Sequence, residues 1–281
     1  MTRVGKGIAA LLVAVLVLVA LGVLIDQSEQ PLAFRLEQVF VTEDRWLMIV
    51  SGLLVTLQIT IASVIFGTAL GFGLYFMAQS RRRVLRLFAK LISRVMHGLP
   101  DVVVLLAATY IVFRSLEVSN LAVATIVFAL LFAVSVSHTL KIGISAVEEG
   151  QTEAAAALGF ETRERFLLII LPQATRNVMG LYIGQIISLL KATAIVGYIA
   201  VDDLTRVGDI IRGHTFDAFL PLFVTAAIYF LLSALLILLL RVIQKRLNPR
   251  PAQRRVRGVV LQGPGGHQPV RSFASFLSGR R

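Results

Sequence analysis

The chain of 281 residues is 57% hydrophobic and 16% charged, with a mean hydropathy of +0.81. That excludes a soluble domain, in which charged residues make up about a quarter, and with no cysteine it excludes disulfides and thiolate metal sites, leaving the extracytoplasmic loops to be held by packing alone. The net charge of +12 fits either nucleic acid or the Lys- and Arg-rich cytoplasmic side of a membrane protein, and placement decides between them.

Arg3 and Lys6 precede an apolar run over 8–25, long enough to cross a bilayer core of about 30 Å. The run exceeds a signal-peptide core, and Leu24-Ile25-Asp26-Gln27 offers no small-residue cleavage site, so a retained first helix is expected. In 26–45, Glu29, Glu37, Glu43 and Asp44 outnumber Arg35 and Arg45, which fits an outer loop. A second span is predicted over 47–77. It carries Gly67 and Gly71 four apart, joined by Gly73, a spacing that lets helix backbones approach closely in lipid.

Between 80 and 94 stand Arg81, Arg82, Arg83, Arg86, Lys90 and Arg94, a basic helix expected at the cytoplasmic headgroups. His97-Gly98-Leu99-Pro100 predicts a break or kink before an apolar stretch that ends at Phe113 and is read as the third span. Residues 114–120 form a turn and 121–139 the fourth span, closed by His138 and Lys141. His138 is read as an edge residue, since nothing nearby has metal-ligand spacing.

Residues 150–172 form a polar island: Gly150-Gln151-Thr152-Glu153, a run of alanines, Leu158-Gly159-Phe160, a charged segment, then Leu167-Leu168-Ile169-Ile170-Leu171-Pro172. Strong helix formers interrupted at Gly159 predict one short helix that stops, turns and hands over to a second. A fifth span follows over 178–200, with Gly180 and Gly184 again four apart. Gln185, Ser188 and Lys191 step by three along it and are read as sharing one helical face, with Thr193 following, so they are the candidate lining of a wet pathway. The other reading of Lys191 is a snorkelling group or a structural partner of Asp202. Residues 202–219 are rich in Asp and read as lying on the outer face, 220–240 as the sixth span, and Arg241, Lys245 and Arg246 as the return to the cytoplasm. The tail over 248–281, rich in Pro, Gly and Arg, is expected to be disordered and basic, either solvated or touching anionic lipid. All basic clusters then fall on one side, so the charge belongs to a membrane protein, not to nucleic-acid binding. The prediction is an all-α polytopic membrane helix bundle of about six spans with both termini cytoplasmic.

The spacing Glu153-Ala154-Ala155, Gly159, Ile169, Leu171-Pro172 resembles the "EAA" loop of permease subunits of bacterial ATP-binding-cassette importers of the type I kind. The resemblance implies that these seven residues belong to a cytoplasmic coupling loop over 148–172 that docks in the groove of an ATPase subunit. It covers about 47–247, with 1–46 as an added helix and outer loop. It further implies a second permease copy or homologue, two ATP-binding subunits, an extracytoplasmic solute-binding protein, and a place in the bacterial cytoplasmic (inner) membrane. Leu190-Lys191-Ala192-Thr193-Ala194-Ile195 is similar to the Leu-Lys-Asp-Thr-Ser-Leu of polar amino acid permeases, with two alanines in place of Asp and Ser. His97-Gly98-Leu99-Pro100 keeps the Gly and Pro of their Arg-Gly-Thr-Pro, and Asp203-Leu204-Thr205-Arg206 with Thr215-Phe216 is also similar. The expected cargo is a small polar solute, an amino acid first and an osmolyte or other small solute second. A membrane anchor or sensor that recruits an ATPase is the rival from another class.

No Gly-x-x-x-x-Gly-Lys-[Ser/Thr] loop occurs, so no phosphate cradle of that kind is present. No catalytic constellation is visible either, and the chain is not read as an enzyme. No cofactor is expected in this chain; ATP and magnesium are expected in the partner.

Overall fold

The computed structural model describes residues 30–247, so the first predicted span and the basic tail lie outside the described residues. Among the described residues there are helices and no strands. A short helix α1 (Leu32–Phe40) leads through a tight turn into α2 (Arg45–Ala78). Then come α3 (Arg83–Gly98), α4 (Asp101–Ala107, continued as a π turn over Ala108–Val112) and α5 (Asn120–Ser145). After α6 (Glu149–Ala157) the chain runs as α7 (Thr162–Ile199), followed by α8 (Leu204–Thr215) and α9 (Leu220–Leu247).

Four stretches are long and apolar enough to cross a membrane: Thr42–Ala78, Asn120–Ser145, Thr162–Ile199 and Leu220–Gln244. They correspond to the second, fourth, fifth and sixth predicted spans. The third differs from expectation. The kink at Gly98-Leu99-Pro100 turns the chain through 112° between α3 and α4. Pro100 has no N–H to continue a helix and biases Leu99 to the extended backbone it adopts. At 1.5 Å per residue, α4 with its π turn is about 18 Å long, little more than half of a bilayer core of about 30 Å.

Lipid tails are as apolar as leucine, so these helices are held together by close packing more than by water exclusion. At the centre is α5, whose most apolar window is 56% buried, while that of α9 is 0% buried within the chain and so lies at the edge. Along α2, Gly67 and Gly71 let α5 come in to backbone distance. A Cβ at Gly67 would stand 2.7 Å from the Ala129 carbonyl, and one at Gly71 2.6 Å from the Val136 Cβ. Ile59, Leu105, Phe128 and Val196, all fully buried, draw α2, α4, α5 and α7 into one core. In turn Gly143 of α5 lies against the Ala174 carbonyl of α7, where an added Cβ would stand at 2.6 Å.

The segment 202–219, placed on the outer face by its acidity, contains a helix that the sequence reading did not expect. Leu204, Val207 and Ile211 fall on one face at helical spacing and bury α8 against Val39 of α1 and Ile49 of α2. The polar network beneath it is closed on every side. Buried Asp203 caps α8 by accepting the Arg206 N–H at 2.9 Å and receives the Tyr229 hydroxyl of α9 at 3.1 Å. Thr205 donates to the same phenolic oxygen, and buried Thr56 of α2 accepts the Leu204 N–H. Burial pushes the Asp203 carboxyl above its ordinary range, although its hydrogen bonds pull the other way.

At the far end of α8, Asp217 accepts the Arg35 guanidinium at 2.7 Å and the N–H groups of Phe219 and Leu220 that open α9. Burial alone would raise this carboxyl; the Arg35 bond and the two backbone donors outweigh it and hold it below the usual carboxylate range.

Candidate functional site

The segment after α5 builds an elbow. Helix α6 ends where Gly159 takes φ +83°, the left-handed region that glycine enters without a Cβ penalty. The Phe160 N–H reaches back to the Ala155 carbonyl at 3.1 Å and the Gly159 N–H to Ala156 at 3.0 Å, the paired bonds of a Schellman stop. Two residues past Gly159, Glu161 forms a reciprocal capping box with Glu164, its N–H held by Glu164 Oε2 at 3.0 Å. These two termini fix the angle between the arms.

The second arm is not a separate short helix, as the sequence reading expected. It is the first part of α7, which runs without a break from Thr162 into the fifth span. Pro172 is accommodated because the helix widens to a π turn over Arg165–Ile170 just before it. An α-helical turn would drive the proline ring into the Leu168 carbonyl. The Gln173 side chain donates to the Ile169 carbonyl at 3.0 Å, in the same disturbed turn.

The seven motif residues divide by exposure. Ala155 is 2% exposed and Ile169 and Leu171 are half-buried, so these three hold the elbow together. Glu153, Ala154, Gly159 and Pro172 face outward, joined by Leu158 at 77% exposure. Helix α6 packs on the π turn of α7, and Phe166 of that turn meets Phe76 at the end of α2 edge to face, 5.6 Å between centroids. Glu148, Glu149, Glu153, Glu161 and Glu164 are all exposed, with Arg163 as a lone exposed cation among them. The elbow is thus an acidic knob on a strongly basic chain.

The four pathway candidates do not lie together. Gln185 turns toward α5, its Nε2 donating to Thr139 Oγ1 at 2.7 Å. Thr193 is fully buried and donates to the Leu190 carbonyl. Ser188 and Lys191 are exposed on another side of α7, in line with Asn177, Gly180, Leu181 and Gly184. Steps of three fall short of a helical turn, so Gln185 and Lys191 end about 120° apart. Sequence reasoning also missed two contacts: the His97 and His138 rings stack at 4.8 Å where α3 ends against α5, and Thr68 and Tyr182 bond at 2.7 Å between α2 and α7.

Known proteins bear on this architecture. A putative glutamine transport system permease protein of Rickettsia felis is 34% identical over 208 residues, which are 72% of this chain and 93% of its own. An arginine transport system permease protein of Bacillus subtilis is 29% identical, over 71% of this chain and 92% of its own. A crystal structure of an amino acid ABC transporter with histidines superposes with a TM-score of 0.66 at 31% identity, covering 71% of this chain and 94% of that one. A methionine ABC transporter in an inward-facing conformation shares the fold, with a TM-score of 0.64 at 17% identity over 74% of this chain and 99% of that one. The family model for the inner membrane component of binding-protein-dependent transport systems matches residues 67–252, a region that takes in the elbow and the bundle around it. The chain belongs to that family, the multi-pass permease subunits of ATP-binding-cassette importers.

Proposed function

We propose that this chain is the permease of an amino acid importer and that its elbow receives the work of a separate ATPase. The observation that carries the reading is the continuity of α7: the arm that leaves the elbow is the same helix that carries Ser188 and Lys191 through the bundle. A displacement of the elbow therefore has no flexible joint in which to be lost. The substrate class is supported by the names of relatives for glutamine and arginine transport.

In this reading the importer domain spans 47–247, both termini are cytoplasmic, and two permeases join two ATP-binding subunits and an extracytoplasmic binding protein. ATP and magnesium belong to the ATPase. Its groove takes the exposed Glu153, Ala154 and Gly159, while Ala155, Ile169 and Leu171 keep the elbow in shape and Pro172 sets the π turn. ATP-driven closure carries the elbows inward and opens the bundle outward; hydrolysis resets it. An exposed ammonium on a spanning helix is costly against lipid. Ser188 and Lys191 accordingly face a wet pathway or the second permease, with Gln185 and Thr193 bracing the helix behind them.

Gly159→Leu tests the elbow. A branched side chain at φ +83° strains the stop by about 1–2 kcal/mol. The protein should still insert, while binding-protein-stimulated ATP hydrolysis and uptake in proteoliposomes fall at least about tenfold. Full activity in that variant would remove the elbow from the coupling route.

A further inference from the structure

Helix α3 carries three separate faces. Ala89 is 1% exposed and, with Ile92 and Met96, packs against Leu74 of α2 and Val134 of α5. A second face, Val84, Leu87, Phe88, Leu91 and Val95, is apolar and turned away from the protein, with exposures of 77%, 55%, 53%, 58% and 40%. The third is Arg83, Arg86, Lys90 and Arg94, all exposed. At about 100° per residue the three sets occupy distinct sectors of the helix. No Asp or Glu stands between Ser80 and Pro100, and none of the four cations is in an ion pair among the described residues.

We propose that α3 is an interfacial helix that selects anionic phospholipid, its apolar face seated at the acyl boundary and its cationic face on the headgroups. Two geometric facts place it there. The 112° turn into α4 lays α3 close to the membrane plane when α4 enters the bilayer along its normal, and Ala89 meets α2 only one turn from that helix's cytoplasmic end. A solvent-facing apolar stripe flanked by Lys and Arg is the pattern of helices that lie in the headgroup region.

Charge complementarity selects lipid over the protein alternatives. A groove that accepts the acidic elbow must itself be cationic, and would repel Arg83, Arg86, Lys90 and Arg94. A second copy related by a two-fold axis would bring like charges together. Anionic headgroups match the cations, and the adjoining acyl region matches the apolar stripe. The exclusion of the ATPase groove rests on the coupling reading of the elbow; the match of α3 to lipid does not, and neither depends on the cargo.

The absence of cysteine makes a direct test available, because Leu91→Cys gives a single labelling site on the apolar stripe. The full chain, reconstituted with its ATPase and binding-protein partners, carries an environment-sensitive dye at that site in phosphatidylcholine vesicles. The vesicles contain brominated phosphatidylglycerol or, at equal mole fraction, brominated phosphatidylcholine. Quenching should be about threefold stronger with the anionic bromolipid. The preference should vanish when Arg83, Arg86, Lys90 and Arg94 are all changed to Gln, and survive when the three arginines are changed to Lys, which also controls for folding. Three results would overturn the proposal: quenching by aqueous iodide instead of bromolipid, shielding from both, or equal quenching by the two bromolipids.

Discussion

Two glycine pairs with the same four-residue spacing meet opposite fates. Gly67 and Gly71 are pressed against α5, where an added Cβ would stand less than 3 Å from Ala129, Ala133 and Val136 atoms. At Gly180 and Gly184 of α7, an added Cβ would meet nothing within 4 Å. The spacing marks a surface built for close approach; it does not say whether the approaching helix belongs to the same chain. The filled pair defines the rigid half of the bundle. The open pair, sharing its face with Ser188 and Lys191, marks a side that no described residue fills.

The sharpest way to break the comparison is Gly71→Leu, which forces α2 and α5 apart along their whole seam. The cost should exceed the usual 1–3 kcal/mol or so of an overpacked core, and size exclusion with a thermal melt in detergent should show loss of folded permease. Gly184→Leu should leave that melt within about 2 °C of the parent, since an exposed substitution costs little, yet abolish pull-down of a second permease. If it assembles and transports normally, the open pair faces lipid. Next in size, Lys191→Met should lower uptake about tenfold at unchanged melting temperature, the loss expected for one charge-assisted contact. Unchanged uptake would take Lys191 off the pathway.

The smallest effect concerns the Arg35–Asp217 clasp, which ties α1 to the start of α9 and reinforces the packed side. Asp217→Asn should cost about 1–2 kcal/mol, seen as faster hydrogen exchange in 216–220. The pH dependence has a definite sign. Because Asp217 is held below the ordinary carboxylate range, the clasp is fully present above a pH of about 4 and is lost as the pH falls through the depressed value. The Asn variant should show no such acid step in that segment.

Much of this architecture was legible because hydrophobic length and basic clusters are imposed by the bilayer itself, and the elbow because its motif spacing is rigid. Helix α8 was hidden: Leu204, Val207 and Ile211 are only three apolar residues inside an Asp-rich stretch, and the Asp203 cap was read as outer-face acidity. The continuity of α7 was concealed by Pro172, which signals an ending unless a π turn absorbs it. The apolar outer face of α3 escaped notice because its arginines dominated the reading. That Gln185 and Lys191 part company follows from helix pitch, and only the position of α5 shows which of them turns inward.

The contact between Gly143 and Ala174 sets a fulcrum on α7. Ala174 lies about 18 Å from the elbow end at Thr162 and about 26 Å from Lys191, taking 1.5 Å per residue. A stiff beam pivoting there returns a small step at the elbow end as a larger swing, in the opposite direction, at the depth of Lys191. The gain of about 1.4 follows from where one backbone-to-backbone touch falls along the helix.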